Sequence, residues 1–305
     1  MHAIAQLAPD ELRSALAILL ATPATGRAAT SRQVAGFCDY LAYGLVEWAG
    51  WRCGQPAAPT GLLLALILPG HTALTMLPAP GQLGITPEGE RAVLDHALNE
   101  LSARPLHYMQ ALLEPQATAA RALLLDAGFD CLAPLVYLER NATFPWVPPP
   151  APDQAEWLLY SAKTHARFAA VVQATYEGSL DCPELTGLRP IDDVLAAHQA
   201  AGQFDPALWE LARIDGRDAG CLLMARLPHG HMLELVYMGV VPTFRRRGVG
   251  RLLLRRALEH CRVTRARQLT VVVDDRNTPA RELYARFGLA PVAQRDAYLY
   301  RLPHG

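Results

Sequence analysis

The sequence predicts a mixed α/β protein made of two tandem, similarly built halves, and three observations carry that expectation. A length of 305 residues is long for one compact core and suits two domains of about 150 residues each. Near the midpoint, FPWVPPPAPDQ from Phe144 to Gln154 has neither helical nor strand period and reads as a stiff linker. On either side of it, TAARALLLDAGF at 118–129 and TPARELYARFGL at 278–289 share Thr, Ala, Arg, Leu and Gly at a constant offset of 160 residues. Each copy leads to a similar ending, YLER at 137–140 and YLYR at 298–301. The expected organisation is a first domain over 1–143, a linker over 144–153 and a second domain over 154–305.

The second half is the more legible. ALWELARI at 207–214 and the run from Arg217 to Arg226 flank Asp215-Gly216, a two-residue hairpin signal. The turn PHGH at 228–231 leads into a third strand ending near Val241. A helix follows over 250–262, with Val249, Leu252, Leu253, Ala257 and Cys261 on one face and Arg251, Arg255 and Glu259 on another. QLTVVV at 268–273 reads as a buried strand, and Asn277 is placed to cap a helix that stops at Gly288. A meander followed by alternating strand and helix gives a mixed sheet.

Between that third strand and its helix lies Arg245-Arg246-Arg247-Gly248-Val249-Gly250. Free N–H groups and the dipole of a helix start favour an anion there, and glycines let a phosphate approach the backbone. Guanidinium groups add charge-assisted bonds to phosphate oxygens. Lys163 is the single lysine among 28 basic residues, yet the formal net charge is −1. A general nucleic-acid or membrane binder lacks its field in such a chain, so the anion site is local. Neither GxGxxG nor GxxxxGK[ST] occurs, which argues against a nicotinamide dinucleotide or a P-loop nucleotide. The six scattered cysteines and the His229/His231 pair supply no metal-ligand spacing, so no metal is expected. The N-terminus lacks the layout of a signal peptide, and no apolar run reaches bilayer length, so a cytoplasmic location is expected.

Residues 207–302 resemble the GNAT family of N-acetyltransferases. The family hallmark is Gln or Arg, two variable residues, Gly, one variable residue, then Gly or Ala; Arg245, Gly248 and Gly250 satisfy it. The stretch N-T-P-A-R-x-L-Y-x-x-x-G at 277–288 matches the later helix of the family. The resemblance implies two tandem GNAT-like domains and acetyl-CoA as co-substrate, its pyrophosphate on the backbone of 246–251. Arg245, Arg246, Arg247, Gly248, Val249, Gly250 and Arg251 are then cofactor-binding. Val240 and Val241 flank the pantetheine, and Asn277 helps place the far wall.

The same resemblance implies Tyr284 as general acid, Glu234 as general base and the Met238 N–H as oxyanion donor, in direct transfer within a ternary complex. Plainer readings stand beside these: Glu234 as a strand carboxylate paired with an arginine, Tyr284 as ordinary core. At the 160-residue offset the first half has Leu74, Leu124 and Ala117 where the second has Glu234, Tyr284 and Asn277, and it reads as a degenerate copy. The acidic stretch 175–193, with Glu177, Asp181, Cys182 and Glu184, is the candidate acceptor loop and favours a small-molecule or peptide amine that is cationic. Its charges could equally cap helices and solvate the loop. A monomer or homodimer is expected. The rival to an N-acetyltransferase is a non-catalytic acyl-CoA-binding sensor on the same fold.

Overall fold

The computed structural model describes residues 3–21, 28–43, 46–78, 83–143, 155–227 and 231–302. The proline-rich linker lies outside these residues. The chain divides into two compact units: residues 1–132 with 295–305, and residues 133–294.

Unit 1 holds β1 (Ile4–Gln6), α1 (Leu12–Leu19), α2 (Ser31–Tyr43), β2 (Glu47–Gln55), β3 (Ala58–Leu68), β4 (Thr72–Met76), α3 (Pro87–Ser102), β5 (Tyr108–Leu113) and α4 (Thr118–Asp126). The next strand, β6 (Asp130–Asn141), passes into unit 2. Unit 2 continues with β7 (Glu156–Leu159), α5 (His165–Thr175), α6 (Ile191–Ala200), β8 (Trp209–Ile214), β9 (Arg217–Leu227), β10 (Met232–Val240), α7 (Val249–Thr264), β11 (Gln268–Asp274) and α8 (Thr278–Arg286). The last strand, β12 (Ala290–Arg301), returns to unit 1.

Each unit carries a six-stranded mixed sheet, in order β1-β2-β3-β4-β5-β12 in unit 1 and β6-β11-β10-β9-β8-β7 in unit 2. The parallel pairs are β4 with β5 and β10 with β11. Both sheets are covered on both faces, and the sequence shows why. In β3, Leu63 and Ala65 enter one core cluster while Leu62, Leu64 and Leu66 enter another. In β9, Leu222 and Met224 face the helices α7 and α8, while Cys221 and Leu223 pack against α5. Strand alternation turns a continuous apolar run into two buried faces.

The expected elements of the second half are present. Asp215 and Gly216 both have positive φ (51° and 72°), as a two-residue hairpin turn requires. The apolar stripe of α7 is fully buried, at Val249, Leu252, Leu253, Ala257 and Cys261. The sheet-facing side of α7 is also tied down by charge: Arg256 grips the buried Glu210 of β8 through two bonds (2.8 and 2.7 Å), and His260 Nε2 lies 2.8 Å from the same carboxylate. Burial pushes Glu210 up, but the bonds from Arg256 and His260 outweigh it and hold the carboxyl below its ordinary range.

The 160-residue repeat is kept in register. Thr72 pairs with Tyr108 in unit 1, and Met232 with Gln268 in unit 2. α4 and α8 each span 9 residues and end at a glycine of positive φ, Gly128 (92°) and Gly288 (74°). The final strands, however, are exchanged. β6, from the first half of the sequence, pairs antiparallel with β11 from Gln268↔Asn141 to Asp274↔Leu135. The buried Arg140 on β6 donates to the Phe287 carbonyl at the end of α8. β12, from the second half, pairs with β5 from Asp296↔Leu113 to Arg301↔Tyr108.

A contiguous half therefore lacks one strand of its own sheet. A fragment of residues 154–305 leaves the β11 edge bare and is expected to aggregate. A fragment of residues 133–294 keeps β6 and is expected to stay soluble with helical and strand circular dichroism. Equal solubility of the two would contradict the exchange.

Candidate active site

The site grows from the way β10 leaves β11. The two strands pair only from Met232↔Gln268 to Leu235↔Val271, whereas β10 stays paired with β9 as far as Val240↔Gly220. A register shift between Leu235 and Tyr237 marks the point of divergence. Such a bulge bends a strand and re-aims the residues beyond it. Past this point, the β10 edge that faces β11 has no strand partner. The Val241 N–H donates to Ala219 on β9 (3.0 Å), so by alternation Gly239 also faces β9 while Met238 and Val240 face the open side. The Val240 carbonyl confirms the parity, since it accepts from Arg245 Nε (3.1 Å) instead of from β9. The Met238 N–H thus lies on an open backbone edge.

Glu234 sits just before the bulge. Its register partners are Ala225 on β9 and Thr270 on β11. It shares a face with Tyr237, because Tyr237 pairs with Leu223, two residues from Ala225. Its carboxylate has no hydrogen bond or ion pair among the described residues, so the plain reading of a strand carboxylate held by an arginine does not describe it. Burial alone pushes its pKa up to about 7. Tyr284 of α8 is 5% exposed, and burial, with Asp181 nearby, raises its phenol above the ordinary value. Asn277 caps α8 by accepting the Ala280 N–H (3.3 Å) and so fixes where that helix begins.

The start of α7 carries the open donors. The Leu252 N–H makes the first bond of the helix, to the Gly248 carbonyl (3.1 Å). The amides of residues 246–251 find no acceptor among the described residues. Gly248 caps the helix at φ 84° with no side-chain cap, and the first turn holds no acidic residue. A Cβ on Gly250 would lie 3.1 Å from Leu283, so a side chain larger than a methyl would crowd that turn. Arg251 Nε is buried without a partner. This constellation fits a pyrophosphate.

The arginine run differs from a uniform clamp. Arg245 spends three donors on carbonyls, those of Val240 (3.1 Å), Gly178 (3.2 Å) and Thr175 (3.0 Å), and braces the end of β10 against the end of α5. Arg247 lies over the Phe244 ring at 5.1 Å. Arg246 is exposed, at φ 63°. Val241 packs between two core clusters.

The acidic loop is also spent largely on structure. Glu184 takes two bonds from Arg276 (2.8 and 3.0 Å), which also grips the fully buried Asp274 (2.7 Å). Asp274 Oδ2 accepts the Cys182 N–H (3.1 Å), and Asp181 Oδ1 accepts the Asp274 N–H (3.0 Å). Asn277 lies close enough to Asp181 to favour its charged form, though burial outweighs this and raises the carboxyl. The loop is clasped onto the turn between β11 and α8, and its Glu184 charge is neutralised there. Burial pushes the Cys182 thiol up to about 12, which leaves no thiolate for nucleophilic attack. Glu177 is exposed and takes no part in the clasp. What the sequence did not reveal is this clasp: Asp274 and Arg276 are visible beside Asn277, but their partners lie about 90 residues away in the chain.

The corresponding turn of unit 1 is closed. The Thr86 N–H donates to the Thr60 carbonyl (2.7 Å), and a Cβ on Gly89 would collide with that carbonyl. The first turn of α3 carries Glu88 and Glu90. Glu90 is fully buried with both carboxylate oxygens unpartnered, and burial pushes it up to about 8.

Against this geometry, residues 138–289 match the acetyltransferase (GNAT) family. Residues 138–289 belong to that family. The GNAT region accounts for β10, the open turn and α8 together. A mycothiol acetyltransferase of Beutenbergia cavernae is 33% identical over 115 residues, 37% of this chain and 38% of the relative. The chain spans less than half the length of the curated relatives it matches. A GCN5-related N-acetyltransferase from Sphaerobacter thermophilus superposes with a TM-score of 0.63 at 18% identity, over 98% of this chain and 96% of that one. A tandem GNAT protein from the clavulanic acid biosynthesis pathway gives 0.58 at 15% identity, over 99% of both chains. These likenesses establish the tandem GNAT fold. No helix among the described residues is long and apolar enough to cross a membrane.

Two stability measurements check the site. Arg276→Gln leaves a buried Asp274 without its cation and is expected to cost about 2–3 kcal/mol in urea unfolding, against under about 1 for Glu184→Gln. Glu90 has its folded pKa raised from 4.5 to about 8, so the stability tied to its protonated form is full below about 4.5 and is lost as pH rises through about 8. Glu90→Gln should therefore raise Tm more at pH 8 than at pH 5; an equal gain at both would contradict a buried neutral carboxyl.

Proposed function

We propose that the protein is an acetyl-CoA-dependent N-acetyltransferase whose chemistry resides in unit 2, with unit 1 as a degenerate copy. The observation that carries the proposal is the splay itself: a partnerless, desolvated Glu234 beside an open β10 edge that presents the Met238 N–H. Acetyl-CoA would supply a thioester with an electrophilic acyl carbon. The amides of residues 246–251 would hold its pyrophosphate, with Arg246, Arg247 and Arg251 adding charge and Arg245 acting as a brace. The open edge at Met238 and Val240 would take the pantetheine as a pseudo-strand.

Glu234 accepts the proton that an ammonium acceptor must lose before its nitrogen can attack. A carboxylate near 7 is a better match to an amine than one at 4.5. The Met238 N–H donates to the carbonyl oxygen as its charge grows. The N–C bond forms, the C–S bond breaks, and the Tyr284 phenol, held protonated by burial, gives its proton to the departing sulfur. The acceptor is a small-molecule or peptide amine. The mycothiol acetyltransferase relatives make an amine on a small thiol one candidate.

Calorimetric titration with acetyl-CoA should show one site per chain, weakened at least about tenfold by Gly250→Val, whose branched side chain would strike Leu283. Glu234→Gln and Tyr284→Phe should keep that affinity and lower kcat by about 10²–10⁴-fold. Because Glu234 must be ionised, kcat/KM should rise with pH through about 7 and level off above it, and Glu234→Gln should abolish that limb. Wild-type activity in both variants would overturn the roles given to Glu234 and Tyr284, whereas acetyl-CoA binding with no turnover of any amine would leave only a cofactor-binding sensor.

A further inference from the structure

With the acidic loop clasped by Arg276, the recognition of the acceptor needs another source, and the exchanged strand provides one. Glu234 pairs with Thr270 on β11, and Thr270 pairs with Glu139 on β6. Paired residues on neighbouring strands point to one face, so Glu139, Thr270 and Glu234 form a row across three strands. Val136 and Leu138 of β6 enter the core beneath α7 and α8, which puts Glu139 on the opposite face, that of Glu234. Two strand spacings separate the ends of the row by about 10 Å.

The row is polar where a sheet interior is usually apolar. Glu139 Oε2 accepts from Gln268 Nε2 (3.2 Å), and neither Glu139 nor Glu234 meets a cation among the described residues. A second, independent feature of the same face also lacks its partner. His198 of α6 stacks on Tyr237 (centroids 5.3 Å apart, planes at 23°), and its Nε2 is covered with no hydrogen bond among the described residues. The Tyr237 hydroxyl pairs with Thr175 (2.7 Å). Covered polar groups without partners cost about 1–3 kcal/mol each, and native proteins keep few of them without a ligand or water to satisfy them.

We infer that Glu139 is a specificity-determining residue for the acceptor. It binds a second hydrogen-bond-donor group of the substrate, an ammonium or hydroxyl, about 10 Å from the amine at Glu234. The preferred acceptor is thus an amine bearing a further donor, a diamine or an amino-polyol, and the strand that reads it comes from the first half of the sequence. The inference rests on the proposed role of Glu234.

The test is a steady-state comparison with acetyl-CoA and three acceptors: spermidine, glucosamine and 2-phenylethylamine, the last a cation with no second donor. The wild type should favour spermidine or glucosamine over 2-phenylethylamine by tenfold or more in kcat/KM, and which of the two leads identifies the donor as ammonium or hydroxyl. Glu139→Gln should erase most of that preference through acceptor KM, with the KM for acetyl-CoA retained as the sign of an intact fold. Glu139→Asp, which keeps the charge on a shorter arm, should retain part of it. Equal turnover of 2-phenylethylamine by the wild type, or a preference unmoved by Glu139→Gln and Glu139→Asp, overturns the inference and leaves the transferase reading standing. Acetyl-CoA binding without turnover of any amine defeats both.

Discussion

The separation of β10 from β11 is the constraint on which the rest of unit 2 depends. Four paired residues hold the strands together from Met232 to Leu235, and the register shift before Tyr237 then releases one edge. A parallel pair in a covered sheet would normally continue to its end, because an unpaired buried N–H is costly. The cost is met here by making the edge useful. Arg245 takes the Val240 carbonyl, and the Met238 amide lies on the open edge, where the proposed function places a ligand. Glu234, one step before the opening, is desolvated by the sheet around it and has no countercharge. The proposed base, the proposed oxyanion donor and the open edge thus have one structural cause.

The charges around this opening divide into those that build it and those that remain for chemistry. Arg245 fastens the end of β10 to Thr175 and Gly178, and Arg276 fastens Glu184 and Asp274. Both arginines have directional partners on the protein. A planar guanidinium suits such bracing, since it reaches several carbonyl or carboxylate oxygens in one plane. Among the described residues around the opening, the groups without protein partners include Glu234, the amides of 246–251, Arg251 Nε and His198 Nε2. They gather at the splay, on the same face of the sheet, or at the start of the helix after it.

How much of this could be read from the chain depends on whether the cause was local. The hairpin at Asp215-Gly216, the stripe of α7, the cap at Asn277 and the glycine stop at Gly288 are fixed by neighbouring residues, and all were legible. The open amides at the start of α7 were legible too, because such a turn is built from consecutive residues. The role of Arg245 was not, since its three acceptors lie on two separate elements. The acidic loop looked like an attractor because its countercharge, Arg276, lies on a turn nearly a hundred residues later. The domain boundary at the proline-rich segment follows the chain, whereas the compact units follow strand pairing, and nothing in a strand of either half says which sheet it joins.

That exchange bears on why a copy stripped of Glu234, Tyr284 and the open turn persists beside a complete one. In unit 1 the corresponding positions are Leu74 and Leu124, and its helix start is pressed against Thr60 with two acidic residues in the first turn. That helix start lacks the open turn found at the start of α7. Unit 1 cannot be discarded, because the strand that flanks β11 and anchors the end of α8 through Arg140 is encoded in its half of the sequence. Duplication gave matching registers in the parallel pairs, and exchange of the last strands made each sheet depend on the other half. Chemistry could then decay in one copy while its strand stayed under the structural demand of the other, and Glu139 lies on that strand.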